Sequence, residues 1–332
     1  MNQIIEDLKN PGALPDSTVQ VNVVQTHISV VFVADSFVYK IKKPVNFGFL
    51  DFSTLEKRKH YCHQELALNR RLARDLYLDV LPVGLVNGKY SLIGQGGDPV
   101  EYAVKMKRIP DDRLMKSLFK AGEITHEHLE EIAKVLSQFH LSATTSPEID
   151  QFAEPEKFKI NTDENFNQVQ NHCGLTISKK QFHDIKEYTN AFYQNNRDLF
   201  FQRIANGRIR DCHGDLHMEH ICLMEGLPII DCIEFNERFR FSDALADIAF
   251  LLMDLEYHGG AEAAKILWNH YKNLSKEEEV DHLLKFYKIY RAFVRGKVNG
   301  FQVDDPAIGD KEKAEAVRRA QSYFNLAHAY ID

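Results

Sequence analysis

Two aspartates mark the stretch that most constrains this chain of 332 residues. Asp215 lies within the run DCHGDLHMEHI at residues 211–221, and Asp231 follows the apolar pair Ile229-Ile230. Between them, residues 221–224 and 227–230 are short apolar segments around the turn pair Glu225-Gly226. This pattern predicts a tight β-hairpin that returns the chain beside its own start.

Phosphoryl transfer requires two carboxylates with separate tasks. One aspartate orients a hydroxyl nucleophile and accepts its proton, while the other holds the Mg²⁺ that bridges the β- and γ-phosphates of ATP. Asp215 lies in a glycine-containing loop and Asp231 ends an apolar strand, so the pair satisfies this requirement. The stretch therefore predicts a phosphotransfer site.

The same stretch resembles the catalytic loop of the aminoglycoside phosphotransferase and choline kinase group, which runs His-Gly-Asp-x-His-x-x-Asn before a strand that ends in Asp. The resemblance implies that Asp215 is the catalytic base, that Asp231 binds the metal ion and that His213 braces the loop. Asp247 is similar to the family's later aspartate, which supports the loop from the start of a helix. We expect His217 to assist Asp215 or to line the acceptor pocket.

One position departs from the family motif. His220 stands where the family usually has a metal-binding Asn, and a nitrogen ligand suits Mn²⁺ better than Mg²⁺. The alternative metal ligand is Glu234, three residues after Asp231. Glu234 is also a candidate for a second metal, for a cationic substrate or for a salt bridge with Arg238 or Arg240.

A closer resemblance covers nearly the whole chain. It joins the chain to a bacterial subfamily of uncharacterised proteins within the aminoglycoside phosphotransferase family, and it rests on residues 38–45, 49–56, 65–72, 231–236 and 290–298. Some members of that subfamily carry an additional P-loop ATPase domain. This sequence lacks the Gly-x-x-x-x-Gly-Lys-Ser/Thr motif, so it resembles the kinase-like half alone.

Hydrophobic periodicity predicts antiparallel strands in the first part of the chain and mainly helices after it, and the resemblance implies that these form an α+β, bilobal protein-kinase-like fold, with an antiparallel β small lobe and a mainly α-helical large lobe. Strands are expected within 19–43, on both sides of Asn87-Gly88 and over 100–109 after a turn at 94–98, and a helix is expected within 53–73, with Ser53 or Thr54 as its cap. Helices dominate from Asp112. We place a small nucleotide-clamping lobe at 1–108 and a large catalytic and substrate lobe at 109–332, in which helices between 146 and 202 shape the acceptor site.

The small lobe is predicted to hold the nucleotide. A strand lysine reaches the phosphates and a helix glutamate holds that lysine, tasks that we assign to Lys40 and Glu65. Lys42 is the rival, because it points to the same face of the strand. Met106 and Arg108 are expected to lie in the hinge strand that presents backbone groups to adenine. The hairpin expected to cover the phosphates, at residues 24–29, contains no glycine.

Composition narrows the functional classes further. A net charge of −7 argues against a general nucleic-acid binder. No apolar run is long enough to span a membrane, and no cleavable signal is recognisable, so we expect a cytosolic protein without a membrane partner. The five cysteines do not suggest a disulfide framework.

The predicted function is that of a kinase: transfer of the γ-phosphoryl group of ATP, with Mg²⁺ or Mn²⁺, to a hydroxyl of a small molecule. The alternatives are a pseudokinase or nucleotide-binding regulatory protein, and a nucleotidyl transferase on the same fold. Arg291, Arg295 and Lys297 are interpreted as a solvated or ion-paired helix face, with binding of an anionic substrate as the alternative.

Overall fold

The computed structural model describes residues 1–93, 98–305 and 308–331. Up to residue 123 the helices and strands are α1 (Asn2–Leu8), β1 (Asn22–Gln25), β2 (Ser29–Val33), β3 (Phe37–Lys42), α2 (Leu55–Asn69), β4 (Tyr77–Val86), β5 (Lys89–Ser91), β6 (Glu101–Lys107) and α3 (Met115–Ala121). The later ones are α4 (His126–Ser142), α5 (Pro147–Asp150), α6 (Pro155–Val169), α7 (Lys179–Asn195), α8 (Arg197–Ala205), β7 (Ile209–Asp211), α9 (Glu237–Arg240), β8 (Phe241–Asp243), α10 (Ala244–Tyr257), α11 (Ala261–Ser275), α12 (Asp281–Phe301) and α13 (Asp310–Ala329). Short 3-10 helices cover Pro11–Ala13, Asp111–Arg113, Gln151–Ala153, Gln170–His172, Met218–His220 and Gln302–Asp304.

The chain divides into two compact units. The small unit contains residues 1–123 and 219–237, and the large unit contains residues 124–218 and 238–332. This division by compactness gives the hairpin after the Asp215 loop to the small unit. The functional division at residue 108, with nucleotide clamping before it and catalysis after it, stays a prediction.

An antiparallel sheet of six strands forms the small unit, in the order β1-β2-β3-β6-β4-β5. Alternation along β3 sends Tyr39 and Ile41 into an apolar cluster that also contains residues of α1. Lys40 and Lys42 therefore point to the opposite face, where Glu65 of α2 meets them. The strands predicted within 19–43 are confirmed, and Thr54 caps α2 as expected by accepting from the Lys57 N–H.

The other predicted elements of this unit are found with small differences. Asn87 and Gly88 both have positive φ in the turn between β4 and β5. The hairpin after Asp215 closes at Gly226, but only an isolated bridge pairs Ile221 with Ile229. The turn predicted at Gly94-Gln95-Gly96-Gly97 lies outside the described residues.

Helices dominate the large unit, as predicted. Its main apolar cluster brings together side chains from α6, α7, α10, α12 and α13, including Phe166, Ile185, Phe250, Phe293 and Phe324. The predicted α+β class, with an antiparallel small part and a helical large part, is confirmed. In the part of the chain that the structure describes, no helix is both long and apolar enough to cross a membrane.

Close packing of α12 against α13 depends on a glycine. A Cβ atom added at Gly296 would lie 2.8 Å from the ring of Phe324, which is fully buried and stacks edge-on against Phe293. At Gly300, one turn further along the same helix, the nearest atom would lie at an ordinary 3.8 Å. Comparing alanine substitutions at the two positions therefore separates the effect of core packing on stability from the effect of helix propensity.

We predict that Gly296→Ala is less stable to unfolding than Gly300→Ala by about 1–3 kcal/mol, the usual cost of overpacking a core. Both substitutions favour the helical backbone by up to ~1 kcal/mol, so Gly300→Ala serves as the matched control. Thermal unfolding followed by helical circular dichroism measures the difference. Equal midpoints for the two variants would show that Phe324 moves aside freely.

Candidate active site

Five alternating charges lie together in the small unit. The Lys40 ammonium lies 2.9 Å from Glu65 Oε1 and 2.8 Å from Asp231 Oδ1. The Lys42 ammonium lies 2.7 Å from Glu65 Oε2 and also bonds Glu234. We call this series Asp231–Lys40–Glu65–Lys42–Glu234 the charge chain. It brings together four predicted site residues and the rival lysine.

Exposure distinguishes the two ends of the charge chain. The side chain of Asp231 is 45% exposed and that of Lys40 is 16% exposed, whereas Lys42 and Glu234 are only 1% and 6% exposed. A ligand from solvent can therefore reach the Asp231 end. Lys40 is thus the more accessible of the two lysines.

The carboxylates keep both lysines charged despite their burial. Burial alone would lower the pKa of Lys40, but Asp231 and Glu65 outweigh it and raise the pKa well above its usual value. Burial also opposes the charged form of Lys42, but Glu234 and, after it, Glu65 raise the pKa of this lysine. Burial likewise opposes ionisation of Glu65, yet the two ammonium groups lower its pKa. Lys40, Lys42 and Glu65 are therefore charged, whereas burial, opposed by Lys42, raises the pKa of Glu234.

Hydrogen bonds from backbone N–H groups to side-chain oxygens hold Asp231 in an uncommon conformation. Its φ of +62° lies in the left-handed region, which non-glycine residues rarely adopt. The Asp231 N–H donates to the Tyr77 hydroxyl (3.2 Å), and the Cys232 N–H donates to Asn69 Oδ1 (2.9 Å). Asn69 lies one turn after Glu65 on α2, so the same helix fixes the glutamate and the metal-candidate segment. The sequence alone does not indicate these roles of Tyr77 and Asn69.

The remaining metal candidates lie on either side of Asp231. His220 Nε2 is 3.7 Å from Asp231 Oδ2, and the His220 carbonyl accepts from the Ile230 N–H across the hairpin. Carboxylate oxygen and imidazole nitrogen are both ligand types for divalent cations, and the nitrogen favours a softer ion than Mg²⁺. The described partner of Glu234 is Lys42, while Arg238 pairs with Glu164 and Arg240 with Asp211.

A threonine closes the turn between β1 and β2. The Thr26 hydroxyl accepts from the N–H groups of Ile28 (3.3 Å) and Ser29 (3.0 Å), and the Lys43 ammonium donates to the Thr26 carbonyl (2.7 Å). Two backbone donors of the predicted phosphate-covering hairpin are thus already used within the turn. Fewer N–H groups of this turn are therefore left for a phosphate, so side chains such as Lys40 would have to provide more of the hydrogen bonds to it.

The predicted hinge residues lie at the end of β6. Met106 pairs with Val38 of β3 and Tyr77 of β4, so β6 is an inner strand of the sheet. After it, the Arg108 N–H donates to the Ser36 carbonyl (2.9 Å). Contact of Met106 and Arg108 with adenine stays a prediction.

In the large unit, a buried aspartate holds the loop that carries Asp215. Asp247, near the start of α10, accepts from the N–H groups of His213 (2.8 Å) and Gly214 (2.9 Å). Arg291 of α12 donates to the Gly214 carbonyl at 2.9 Å. The structure therefore places Asp247 where the family resemblance implies. Arg291 is buried and lies 4.0 Å from the Asp247 carboxylate, so of the two predicted possibilities, a solvated or an ion-paired face, the structure shows the ion-paired one at this residue.

Asp247 has a support of its own. His140 Nε2 lies 3.2 Å from Asp247 Oδ2, and His140 Nδ1 lies 2.8 Å from the Tyr271 hydroxyl. Burial opposes ionisation of Asp247, but His140, followed by His213 and Arg291, holds its pKa well below the usual value. The sequence alone does not indicate that His140 supports Asp247.

His217 lies beside the predicted base. Its Nε2 atom is 3.5 Å from Asp215 Oδ2, and its buried ring packs 5.5 Å from that of Phe250. The Asp215 N–H donates to His213 Nδ1 at 3.3 Å, a contact that braces the loop as the resemblance implies. The Asp215 side chain is about one-third exposed, so its carboxylate can meet a substrate.

The chain is similar in sequence to known proteins. Residues 38–283 match the model of the phosphotransferase enzyme family. Uncharacterized proteins of Mycobacterium tuberculosis and Mycobacterium bovis are each 34% identical over 279 residues, which is 84% of this chain and 54% of theirs. The chain thus spans about half the length of these relatives.

Solved structures extend the likeness at the level of the fold. A choline/ethanolamine kinase family protein from Mesorhizobium loti superposes with a TM-score of 0.51 at 14% identity, covering 95% of this chain and 92% of its own. A choline kinase from Streptococcus pneumoniae gives 0.50 at 14% identity, covering 93% and 94%. The predicted protein-kinase-like fold is confirmed. With the family match over residues 38–283, the chain belongs to the phosphotransferase enzyme family.

Proposed function

We propose that this protein transfers the γ-phosphoryl group of ATP to a hydroxyl of a small molecule. The observation that carries the proposal is the Lys40 ammonium, which lies between the carboxylates of Glu65 and Asp231. Phosphoryl transfer depends on positioning and on charge neutralisation. A lysine held by a buried glutamate beside a more exposed aspartate supplies the groups for both.

Each residue has a separate task in this proposal. Lys40 binds the ATP phosphates and Glu65 keeps its ammonium in place. Asp231 holds Mg²⁺ or Mn²⁺, which neutralises phosphate oxygens when bound. Asp215 orients the acceptor hydroxyl and takes its proton, while His217 supports the Asp215 carboxylate. Met106 and Arg108 border the adenine.

The acceptor is proposed only as a small molecule that carries a hydroxyl group. Related folds include proteins named as choline kinases, but identities near 14% transfer no substrate to this chain. Helices α5 to α8, which cover most of residues 146–202, are proposed to shape the acceptor site.

The second candidate is a nucleotide-binding regulatory protein. The Thr26 turn favours it, because that turn already uses the N–H groups of Ile28 and Ser29 that a phosphate-covering loop would offer. Such a protein would bind ATP without transferring any part of it. Binding and turnover are therefore measured separately below.

We predict that ATP with Mg²⁺ or Mn²⁺ raises the unfolding midpoint, and that Lys40→Ala removes most of this shift. A ligand at about 100 times its Kd adds ~2.7 kcal/mol to the free energy of unfolding, an effect that differential scanning fluorimetry detects readily. Lys105→Ala is the matched control, because Lys105 pairs with Asp16 and faces away from Lys40 in the sheet. If Lys42→Ala loses the shift and Lys40→Ala keeps it, the assignment of Lys40 as the phosphate lysine is wrong.

The two aspartates should separate binding from turnover. Asp231→Asn should weaken metal-dependent ATP binding, because the cation loses a charged oxygen ligand. Asp215→Asn should leave that binding nearly intact and reduce transfer of the γ-phosphoryl group, in the presence of a metabolite extract, by a factor of order a hundred or more. Calorimetry measures ATP binding, and the formation of ADP measures the transfer. Equal losses of ATP binding in both variants would contradict this division.

A third prediction concerns metal preference. Because imidazole nitrogen favours the later ion, the wild-type protein should bind ATP more tightly with Mn²⁺ than with Mg²⁺, and His220→Asn should shift the ratio toward Mg²⁺. Glu234→Gln is the comparison variant, since its carboxylate is bonded to Lys42. A shift in the metal ratio with Glu234→Gln alone would make Glu234 the ligand instead.

A further inference from the structure

The second half of the charge chain has no task in the proposed transfer. Lys40, Glu65 and Asp231 already supply a phosphate lysine, its anchor and a metal ligand. Lys42 and Glu234 lie beside them, almost wholly buried, with the ammonium bonded to both Glu234 and Glu65. A buried lysine is rare and costly unless carboxylates surround it. This second pair therefore calls for its own explanation.

Attachment at two points distinguishes the short segment 231–234. Its first residue, Asp231, contacts Lys40, and its last residue, Glu234, contacts Lys42. The two lysines are alternate residues of one strand, so β3 fixes both ends of the segment. Glu65, on helix α2, forms ion pairs with both lysines. Strand, helix and segment are thus joined through Lys42 as well as through Lys40.

The partners of Lys40 must change when a nucleotide arrives. Phosphate oxygens compete with Asp231 for the Lys40 ammonium, and a metal ion competes with Lys40 for the Asp231 carboxylate. Of the two ammonium groups described beside Glu65, that of Lys40 would then be shared with the ligand. Lys42 retains Glu65 and Glu234 throughout this exchange, because its 1% exposure shields it from solvent and ligand.

Resting on the proposed function, we propose that Lys42 and Glu234 form a positioning pair, which holds Glu65 and residues 231–234 in place while Lys40 exchanges Asp231 for nucleotide phosphate. Neither residue touches the nucleotide or the metal ion in this role. Glu234 is thereby an anchor of the metal-binding segment and not a metal ligand.

Aromatic packing supports the pair from the other side. The Lys42 ammonium lies 4.7 Å from the centre of the Phe52 ring, and Phe235, next to Glu234, packs against Phe49 and Phe52. Asn236 Nδ2 donates to the Phe49 carbonyl at 2.9 Å. Residues 234–236 are therefore covered by the loop between β3 and α2, which excludes water from the ion pair and strengthens it.

The test compares Lys42→Met, Glu234→Gln and the double variant Lys42→Met/Glu234→Met. The double variant removes both buried charges, so it is expected to fold even where a single variant leaves a charge uncompensated. Lys288→Met/Glu256→Met is the matched control. Lys288 of α12 and Glu256 of α10 form a mostly buried pair in the large unit, and their described contacts lie outside the small unit.

Two measurements are made on each variant. Amide hydrogen exchange of a peptide covering residues 229–236, without nucleotide, reports whether the segment is held. Calorimetric titration with Mg²⁺–ATP reports the consequence for binding. We expect faster exchange and about tenfold weaker Mg²⁺–ATP binding in the double variant, the scale of losing a partner that orients a metal ligand, with the control unchanged in both.

Lys42→Met alone distinguishes an anchor from a metal ligand. Removing a cation near a metal site would tighten metal–nucleotide binding if Lys42 acted only through its charge and Glu234 bound the metal. The positioning pair predicts weaker binding instead. Tighter binding, or exchange of residues 229–236 unchanged in the double variant, would overturn the inference.

Failure of the proposed function has a different signature. A wild-type protein that binds no Mg²⁺–ATP would refute the nucleotide proposal. The exchange measurement contains no nucleotide, so it still decides whether Lys42 and Glu234 hold the segment.

Discussion

The small unit depends on the mutual neutralisation of buried charges. Desolvating one ion costs several kcal/mol, so Lys42 can be buried only where carboxylates meet it. Alternation of sign along the charge chain satisfies this condition at every step and links β3, α2 and residues 231–234. Hydrogen bonds to Tyr77 and Asn69 hold Asp231 in its left-handed conformation, with its carboxylate 45% exposed. The proposed metal ligand therefore lies at the exposed end of the charge chain.

The large unit solves a similar problem with a single carboxylate. Asp247 accepts hydrogen bonds from the N–H groups of His213 and Gly214, just before Asp215. The buried Arg291 donates to the Gly214 carbonyl. A loop held by charge-assisted bonds has few alternative conformations, which suits a base that must be positioned before the reaction. His140 and Tyr271 extend this support into the helical core. In both units the candidate catalytic groups lie on short irregular segments fixed by buried charges.

Sequence reasoning recovered the features that follow from local pattern. Strand alternation placed Lys40 and Lys42 on one face, a cap signal located α2 with Glu65, and the glycine turn predicted the hairpin before Asp231. It did not find the partner of Glu234, the roles of Tyr77 and Asn69, or the contact of Arg291 with Gly214. These depend on which side chains tertiary packing brings together, and no spacing along the chain records that. Arg291 illustrates the limit, since helical periodicity alone cannot distinguish a buried cation that binds carbonyls from a solvated one.

The central claim is that a chain with these clusters moves the γ-phosphoryl group of ATP. The most direct measurement follows the label from α- and γ-³²P ATP, incubated with the protein, Mg²⁺ or Mn²⁺ and a fractionated metabolite extract. The account predicts a new product labelled only from γ-³²P ATP, absent with Asp215→Asn. A product other than ADP or AMP that carries label from α-³²P ATP would indicate nucleotidyl transfer. Bound ATP with no labelled acceptor product from any fraction would indicate a regulatory nucleotide-binding protein, and either result would contradict the account.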